Sequence, residues 1–357
     1  MRRWWGAAAA LSLALSAAPA HATTAPPPER VLFRVSQVYS PYENPIPATR
    51  PFTVRPDGSQ LRFYGGRLPD PTLNPAGTVR VGKRVLSFTY SPPDPDCDGP
   101  TGCGSLYDDN IKQGLTLTVL STGTTYLVTS GYFDSRAVWS PDGSKIAYAS
   151  YRDHHWVVAV MDATGHPLGA VTSYDLAFVP DFQWTPNSKA LLVPRRSEFD
   201  VYDLHGTLLQ QVPVAQGFGQ YSLSPDGTRV AYLGTPRGAP LYVGDLYVVD
   251  RRTLRTTQLT HLDASLTAGT FCGTERTSTQ MLRGLLWSPD SRYLAFASNV
   301  RHQVELGQLD DVMVADTATG AIRTAYANPP MVCKLGSGGT YLSYGRDVTL
   351  LGWVREP

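Results

Sequence analysis

Charge of either sign is scarce in this chain. Asp, Glu, Lys and Arg make up 17 % of its 357 residues, and the formal net charge is +1. A nucleic-acid-binding domain announces itself by a basic stripe or a high pI, so that class of partner is not expected. No apolar run beyond the first 22 residues approaches the length of a membrane-spanning helix, and no transmembrane segment is expected. The Gly-x-Ser-x-Gly pentapeptide that forms the nucleophile elbow of α/β-hydrolases does not occur. The seven histidines supply no ligand spacing. His154 and His155 are neighbours, and neighbours on a strand point to opposite faces, while His166, His205 and His261 fall in or near turns. No acid–base constellation is visible, so no catalytic residue and no cofactor are expected from these absences.

What is present begins with a leader. Arg2 and Arg3 precede an apolar stretch from Trp4 to Leu15, followed by Ala20-His21-Ala22. This is the pattern of a secretory signal peptide with a small-x-small cleavage site, and cleavage is expected after Ala22. The expected organisation is a signal peptide over 1–22, a flexible leader over 23–30 containing Pro26-Pro27-Pro28, and a single domain over 31–357. The expected location is periplasmic or extracellular. Export would place the four cysteines in an oxidising compartment, where disulfides persist. Four cysteines allow three pairings. Cys97 and Cys103 are close in sequence and bracket a Gly/Pro-rich turn, which favours Cys97–Cys103 with Cys272–Cys333; free or mixed thiols are the alternative.

Glycine (32) and proline (29) are plentiful throughout, as suits many short strands joined by turns. One pattern recurs. It reads Trp139-Ser140-Pro141-Asp142-Gly143, then Leu223-Ser224-Pro225-Asp226-Gly227, then Trp287-Ser288-Pro289-Asp290-Ser291, with a weaker copy at Trp184-Thr185-Pro186-Asn187-Ser188. Ser, Pro, Asp and Gly in that order fill the four positions of a type I β-turn. Each turn is followed by an alternating apolar segment such as Ile146, Tyr148 and Ser150, so each copy predicts a β-hairpin. A second strand pair follows most copies, ending in Asp-x-x-Gly turns at Asp162 to Gly165 and Asp203 to Gly206, a longer one from Asp316 to Gly320, and a similar turn at Asp250. Four strands per unit at a period of about 40 to 45 residues is the picture of a propeller blade.

The chain is therefore expected to be an all-β propeller of six four-stranded blades, with seven as the alternative count. Arg55-Pro56-Asp57-Gly58 and Gly336-Ser337-Gly338-Gly339 read as degenerate copies of the turn. The unit around Val85 to Tyr90 and Leu115 to Leu120 reads as having lost it. Strands near Val31 to Val35 and Gln60 to Tyr64 would complete the blade that Tyr341 to Val354 begins, and closure by both termini would remove exposed sheet edges.

These hairpins resemble the blade repeat of the TolB family, the periplasmic propeller of the Tol-Pal envelope system, and the related propellers of prolyl-oligopeptidase-type proteins. The match covers about Ala137 to Ser343, and Leu259-Thr260 is similar to the family's fourth-strand ending. The resemblance implies a six-bladed propeller. The stretch between Ala22 and Arg55 is shorter than the small domain that precedes the propeller in TolB, so the expectation is the propeller alone.

Among candidate sites, Asp94, Asp96 and Asp98 alternate before Gly99, as in hard-cation loops. The twelfth position of an EF-hand loop would need Glu, yet it is Ser105. The loop is read first as an acidic insertion restrained by Cys97–Cys103 and second as a calcium site. Trp139, Trp184 and Trp287 share one repeat position and read as blade packing, whereas Tyr39, Tyr42, Trp156 and Tyr174 lie outside it and could line a loop surface. Arg195-Arg196 and Arg251-Arg252 read as solvated turns. The function expected is a non-catalytic, monomeric scaffold that binds a protein or peptide, with rim loops Pro92 to Ile111 and Leu262 to Gly284 as the recognition elements. The alternative is a propeller hydrolase or lyase with its active site in the axial channel.

Overall fold

The computed structural model describes residues 29–38, 50–88, 111–129, 133–152, 155–174, 181–195, 197–214, 218–234, 244–262, 267–271, 274–278, 282–299, 310–328, 332–335 and 341–355. Six blades follow one another around an axis. Blade one joins β26 (Tyr341–Arg355) to β1 (Glu29–Val38), β2 (Arg50–Val54) and β3 (Arg62–Phe63). Blade two contains β4 (Val79–Phe88), β5 (Ile111–Val119) and β6 (Thr124–Leu127), with the bridge between Leu73 and Arg80 supplying its first strand. Blade three runs β7 (Phe133–Trp139), β8 (Lys145–Arg152), β9 (His155–Asp162) and β10 (Pro167–Tyr174). Blade four runs β11 (Gln183–Trp184), β12 (Ala190–Pro194), β13 (Glu198–Asp203) and β14 (Leu208–Pro213). Blade five runs β15 (Phe218–Leu223), β16 (Arg229–Gly234), β17 (Asp245–Asp250) and β18 (Thr256–Gln258). Blade six runs β21 (Leu282–Trp287), β22 (Tyr293–Ser298), β23 (Asp311–Asp316) and β24 (Ile322–Tyr326). The hairpin of β19 (Thr267–Phe271) and β20 (Thr274–Ser278) lies between blades five and six in the chain, and β25 (Val332–Leu335) pairs with the start of β26. One parallel bridge, Gln113 with Phe133, ties blade two to blade three.

The ring closes as the sequence suggests. β26 pairs antiparallel with β1 from Glu29–Arg355 to Val38–Gly345, with one irregularity between Leu32 and Phe33. Strands from the two ends of the chain thus share a blade, and neither end leaves an unpaired first strand.

The core lies in the wedges between blades. Trp156, Phe182 and Leu191 join blades three and four; Phe199, Tyr221 and Tyr232 join four and five; Leu246, Trp287 and Phe296 join five and six; Phe33, Val312 and Val314 join six and one; Leu117, Ile146 and Met161 join two and three. This explains a departure from simple alternation. Ile146, Ala147, Tyr148, Ala149 and Ser150 are all buried, because each blade is covered on both faces by its neighbours. Outer strands alternate or face water instead, as in β14, where Leu208 and Leu209 are exposed. Fully burying a large apolar side chain contributes about 1.5–3 kcal/mol, so the second and third strands of each blade carry most of the packing.

Two turns sit elsewhere than the sequence reading put them. Arg55-Pro56-Asp57-Gly58 is not a copy of the Ser-Pro-Asp-Gly turn. It joins the third and fourth strands of blade one: the Gly58 N–H donates to the Arg55 carbonyl at 2.9 Å and the Arg55 N–H to Ser59 at 3.1 Å. The same pair of bonds closes the Asp162 turn, from Gly165 to Asp162 and from Asp162 to His166. Blade two, in turn, has kept its first turn. Asn74-Pro75-Ala76-Gly77 closes with a 2.8 Å bond from the Gly77 N–H to the Asn74 carbonyl, matching Gly143 to Ser140 and Gly227 to Ser224. Asn replaces Ser as the polar first residue, and Ala replaces Asp.

Candidate binding cleft at the blade seam

The repeated turn is held by its own side chains. In blade three the Ser140 hydroxyl donates to Asp142 at 2.7 Å and accepts from the Lys145 N–H at 2.9 Å, while Asp142 also accepts from the Ser144 N–H at 3.0 Å. Blades five and six repeat the arrangement at Ser224–Asp226 and Ser288–Asp290. The Ser140 hydroxyl and Ser144 N–H hold the Asp142 carboxyl well below the usual carboxylate range. Gly143 sits at φ +70°, the left-handed region that glycine enters without steric cost.

These turns also touch one another around the ring. Gly143 lies against the Pro75 ring and Gly227 against the Pro186 ring, where a Cβ would come within 3.0 Å. Where the fourth position is serine, it bonds the previous turn: the Asp142 N–H donates to Ser188 Oγ at 3.1 Å, and the Asp226 N–H to Ser291 Oγ at 3.0 Å. A second belt runs just inside. The indole N–H of Trp139 donates to Thr72 O at 3.1 Å, Trp184 to Val138 O at 3.0 Å, and Trp287 to Ser222 O at 2.9 Å, each reaching back one blade. Trp353 does the same to Leu286 O at 3.0 Å, which makes it the repeat tryptophan of blade one. Blade five has Leu223 at this place, and Gln183 of blade four bridges instead, accepting from the Leu223 N–H and donating to Tyr221 O.

Among the described residues the turn belt stops at blade one. Its first two strands come from opposite ends of the chain, so no Ser-Pro-Asp-Gly turn connects Arg355 to Glu29. A Cβ added to Gly77 of blade two would accordingly meet nothing within 4 Å. On the other side, between blades six and one, a cleft of about 810 Å³ opens. The corresponding grooves between blades four and five and between five and six measure about 540 and 330 Å³. The cleft is floored by Val314 and Tyr293, flanked by Pro56 and Pro289, and carries charged side chains of both signs.

Its acids are largely committed to the fold. Asp290 accepts from Ser288 Oγ at 2.5 Å and from the Arg292 N–H at 3.0 Å. Asp316 accepts from Arg292 Nη2 at 2.9 Å and from the Ala318 N–H at 3.0 Å. Burial alone would raise the Asp316 carboxyl, but the Arg292 and turn N–H bonds outweigh it and bring it below its ordinary value. Asp57 is likewise lowered, by its bonds from Ser59. Glu29 goes the other way. Burial pushes its carboxyl up and the Asp290 charge adds to this, against the Asp290 N–H and Arg355. Among the basic groups, Arg355 stands 3.9 Å from Glu29 with its side chain 69 % exposed, and Arg323 is exposed.

The sites anticipated from sequence divide in two. Asp94, Asp96, Asp98, Cys97, Cys103, Cys272, Tyr39, Tyr42, His154, Ala22 and most of the loop Pro92 to Ile111 lie outside the described residues; Cys333 is described only as backbone in β25, and Tyr174 only as backbone in β10. His166, His205 and His261 are exposed on three different blades, and among the described residues no group of three His, Cys, Asp or Glu is placed to hold a metal ion. Trp139, Trp184 and Trp287 are buried in the packing as expected. Trp156 is not a surface aromatic but core, 2 % exposed.

The two arginines read as solvated are structural. Arg195 donates to Asp200 at 3.2 Å, Tyr202 at 3.1 Å, Thr172 at 2.7 Å and Ser173 O at 3.2 Å, tying blade three to blade four. Arg251 donates to Gly227 O at 2.7 Å and Gln210 at 2.8 Å, tying four to five, and burial lowers its guanidinium pKa. Two acids are bound by arginines of first strands: Asp181, just before β11, pairs with Arg136, and Asp310, just before β23, pairs with Arg283.

No family model matches the chain, and no curated protein matches it. Among solved structures, TolB from Acinetobacter baumannii is similar at 16 % identity and a TM-score of 0.47, over 91 % of this chain and 67 % of that one. An oligogalacturonate lyase in complex with manganese is similar at 14 % identity and a TM-score of 0.44, over 70 % and 68 % of the two chains. A periplasmic gluconolactonase of Pseudomonas aeruginosa is similar at 14 % identity and a TM-score of 0.42, over 86 % and 87 %. By its strand order, its closure through strands from both ends of the described chain and its repeated turns, this protein is a six-bladed β-propeller.

Proposed function

We propose that this protein is an exported, non-catalytic propeller that holds a protein or peptide segment against its turn face. The observation that carries the reading is the seam cleft. Of the three blade-to-blade grooves at the seams four–five, five–six and six–one, the last is the largest, and it presents arginine, tyrosine and proline side chains beside four carboxylates. Arginine and aromatic residues are the types enriched in protein interfaces, and a rigid scaffold lowers the ordering cost of binding. The leader Met1 to Ala22 supports export, and the propeller itself supplies the rigid frame.

The experiment is in-cell crosslinking of the full chain with a photoactivatable residue at Thr319, which lines the cleft. A discrete protein adduct is expected in the exported fraction, together with a mature N-terminus at Thr23. Absence of any protein adduct, combined with turnover of a panel of uronates, lactones and peptides by the purified protein, would overturn the reading in favour of an enzyme.

A further inference from the structure

We infer that the groove between blades five and six is a second binding site, built for a small hydroxylated phosphate or sulfate ester held by Arg255, Arg229 and Thr257. It is separate from the six–one cleft and does not depend on the function proposed for that cleft. The groove exists because of how the blades meet at their outer turns, which join third strands to fourth. In blades one, three and four the turn glycine is pressed on the preceding blade. A Cβ at Gly58 would meet Thr324 O at 3.0 Å, one at Gly206 would meet Val171 O at 2.9 Å, and one at Gly165 would run into the Val128 side chain. A Cβ at Gly320 of blade six would meet nothing within 4 Å. The facing strand of blade five, β18, has three residues where β10, β14 and β24 have eight, six and five. The blade-six turn therefore stands off its neighbour and leaves a groove of about 330 Å³ with buried Val248 at its base. That is the lower end of the range for ligand pockets, room for a handful of heavy atoms.

The chemistry of the walls is set by which groups the fold has already used. Arg229 donates to Thr317 Oγ1 at 2.7 Å and to Ser291 O, and its guanidinium lies 5.0 Å over the Trp287 ring, so it is held in place with N–H groups to spare. Arg255 is held by its backbone: the Asp250 N–H donates to Arg255 O at 3.0 Å and the Arg255 N–H to Thr253 Oγ1 at 3.4 Å. Its side chain makes no hydrogen bond or ion pair among the described residues, and neither does the Thr257 hydroxyl. The one carboxylate of the lining, Asp250, accepts through Oδ1 from the Arg252 N–H at 3.0 Å, the Thr253 N–H at 2.7 Å and the Thr253 hydroxyl at 2.9 Å. The Thr253 bonds bring its carboxyl below the ordinary value, so it is ionised and Oδ2 can only accept. The carboxylates on either side are engaged elsewhere, Asp226 with Ser224 and Thr228, and Asp316 with Arg292 and the Ala318 N–H. Two guanidiniums and one hydroxyl thus offer donors against a single acceptor. A carboxylate is satisfied by one guanidinium in a paired contact, whereas a tetrahedral oxyanion has oxygens for both. A hydroxyl beside it would donate to Asp250 Oδ2.

The test is isothermal titration calorimetry of the full mature chain with glycerol phosphate, inorganic phosphate, inorganic sulfate and acetate. Saturable binding of glycerol phosphate is expected, tighter than inorganic phosphate because of the Asp250 acceptor, with no saturation by acetate. Sulfate binding more tightly than inorganic phosphate would identify the natural oxyanion as a sulfate ester at the same site. Arg255→Gln removes a side chain that makes no bond of its own and should weaken binding about tenfold, the value of one charge-assisted hydrogen bond. Thr257→Val should weaken it about threefold. Arg252→Gln, an exposed arginine of the same turn that does not line the groove, should stay within about twofold. Equal losses in Arg255→Gln and Arg252→Gln would reduce the effect to surface charge and overturn the inference. Acetate binding as well as phosphate, or no saturable binding of any oxyanion, would also overturn it. Thermal melts of the three variants check folding.

Discussion

Replacing Trp353 by Phe tests whether the last strand of the chain is built into the ring as the repeat strands are. The substitution keeps an aromatic ring in the wedge between blades six and one but removes the indole N–H that donates to Leu286 O at 3.0 Å. Loss of a neutral hydrogen bond costs about 1 kcal/mol net. Shrinking a half-buried indole to phenyl forfeits roughly one buried methylene-equivalent, about 0.8 kcal/mol. The expected loss is therefore about 2 kcal/mol. With a urea m-value of about 3–4 kcal/mol/M for a domain of this size, the midpoint should fall by about 0.5 M at unchanged slope. Trp184→Phe, which removes the same bond at the joint of blades three and four, should lose slightly more because Trp184 is better buried. Urea unfolding followed by far-UV circular dichroism reads both. A full loss in Trp184→Phe with no change in Trp353→Phe would refute the argument that closure reproduces an ordinary blade joint.

Two further outcomes are expected. Asp142 has a folded pKa below its unfolded value, held there by Ser140 and the Ser144 N–H, so its contribution is present above an unfolded pKa of about 3.9 and is lost as pH falls through the folded one. Asp142→Asn should therefore lower the urea midpoint at pH 7 and pH 5, and the gap should narrow progressively as pH falls below about 4; a gap independent of pH would show that the carboxylate charge is not the cause. Arg195→Met leaves Asp200, 4 % exposed, without its guanidinium, and should cost about 2–4 kcal/mol as an unpaired buried charge, part of which Asp200→Asn in the same background should restore in a double-mutant cycle.

The blade turns were legible because their chemistry is local. Ser140, Pro141, Asp142 and Gly143 satisfy one another within five residues, so the motif shows in sequence wherever it is intact. Blade two escaped because Asn74 and Ala76 replace the serine and the aspartate, leaving only proline and glycine in place. Arg55 to Gly58 was misplaced because Pro-Asp-Gly suits either turn of a blade; strand pairing alone, β2 with β3, decides between them. Arg195 and Arg251 look like surface charges in sequence because their acceptors, Thr172 and Gln210 among them, lie some 20 to 40 positions away on the neighbouring blade.

By itself the sequence determined the all-β class and the four-stranded unit and favoured six blades closed through both ends over seven, since these follow from short-range turn chemistry and the period at which it repeats; the strand pairing decided for six. Only the tertiary structure decided where that order fails. The seam cleft is assembled from Glu29, the 55–57 turn, blade six and Arg355, which are adjacent only after the ring has closed. Its defining feature is that the first two strands of blade one, β26 and β1, are far apart in sequence and pair only through the closed ring. No local pattern records such a pairing, because it belongs to the closure of the ring and not to any segment of it.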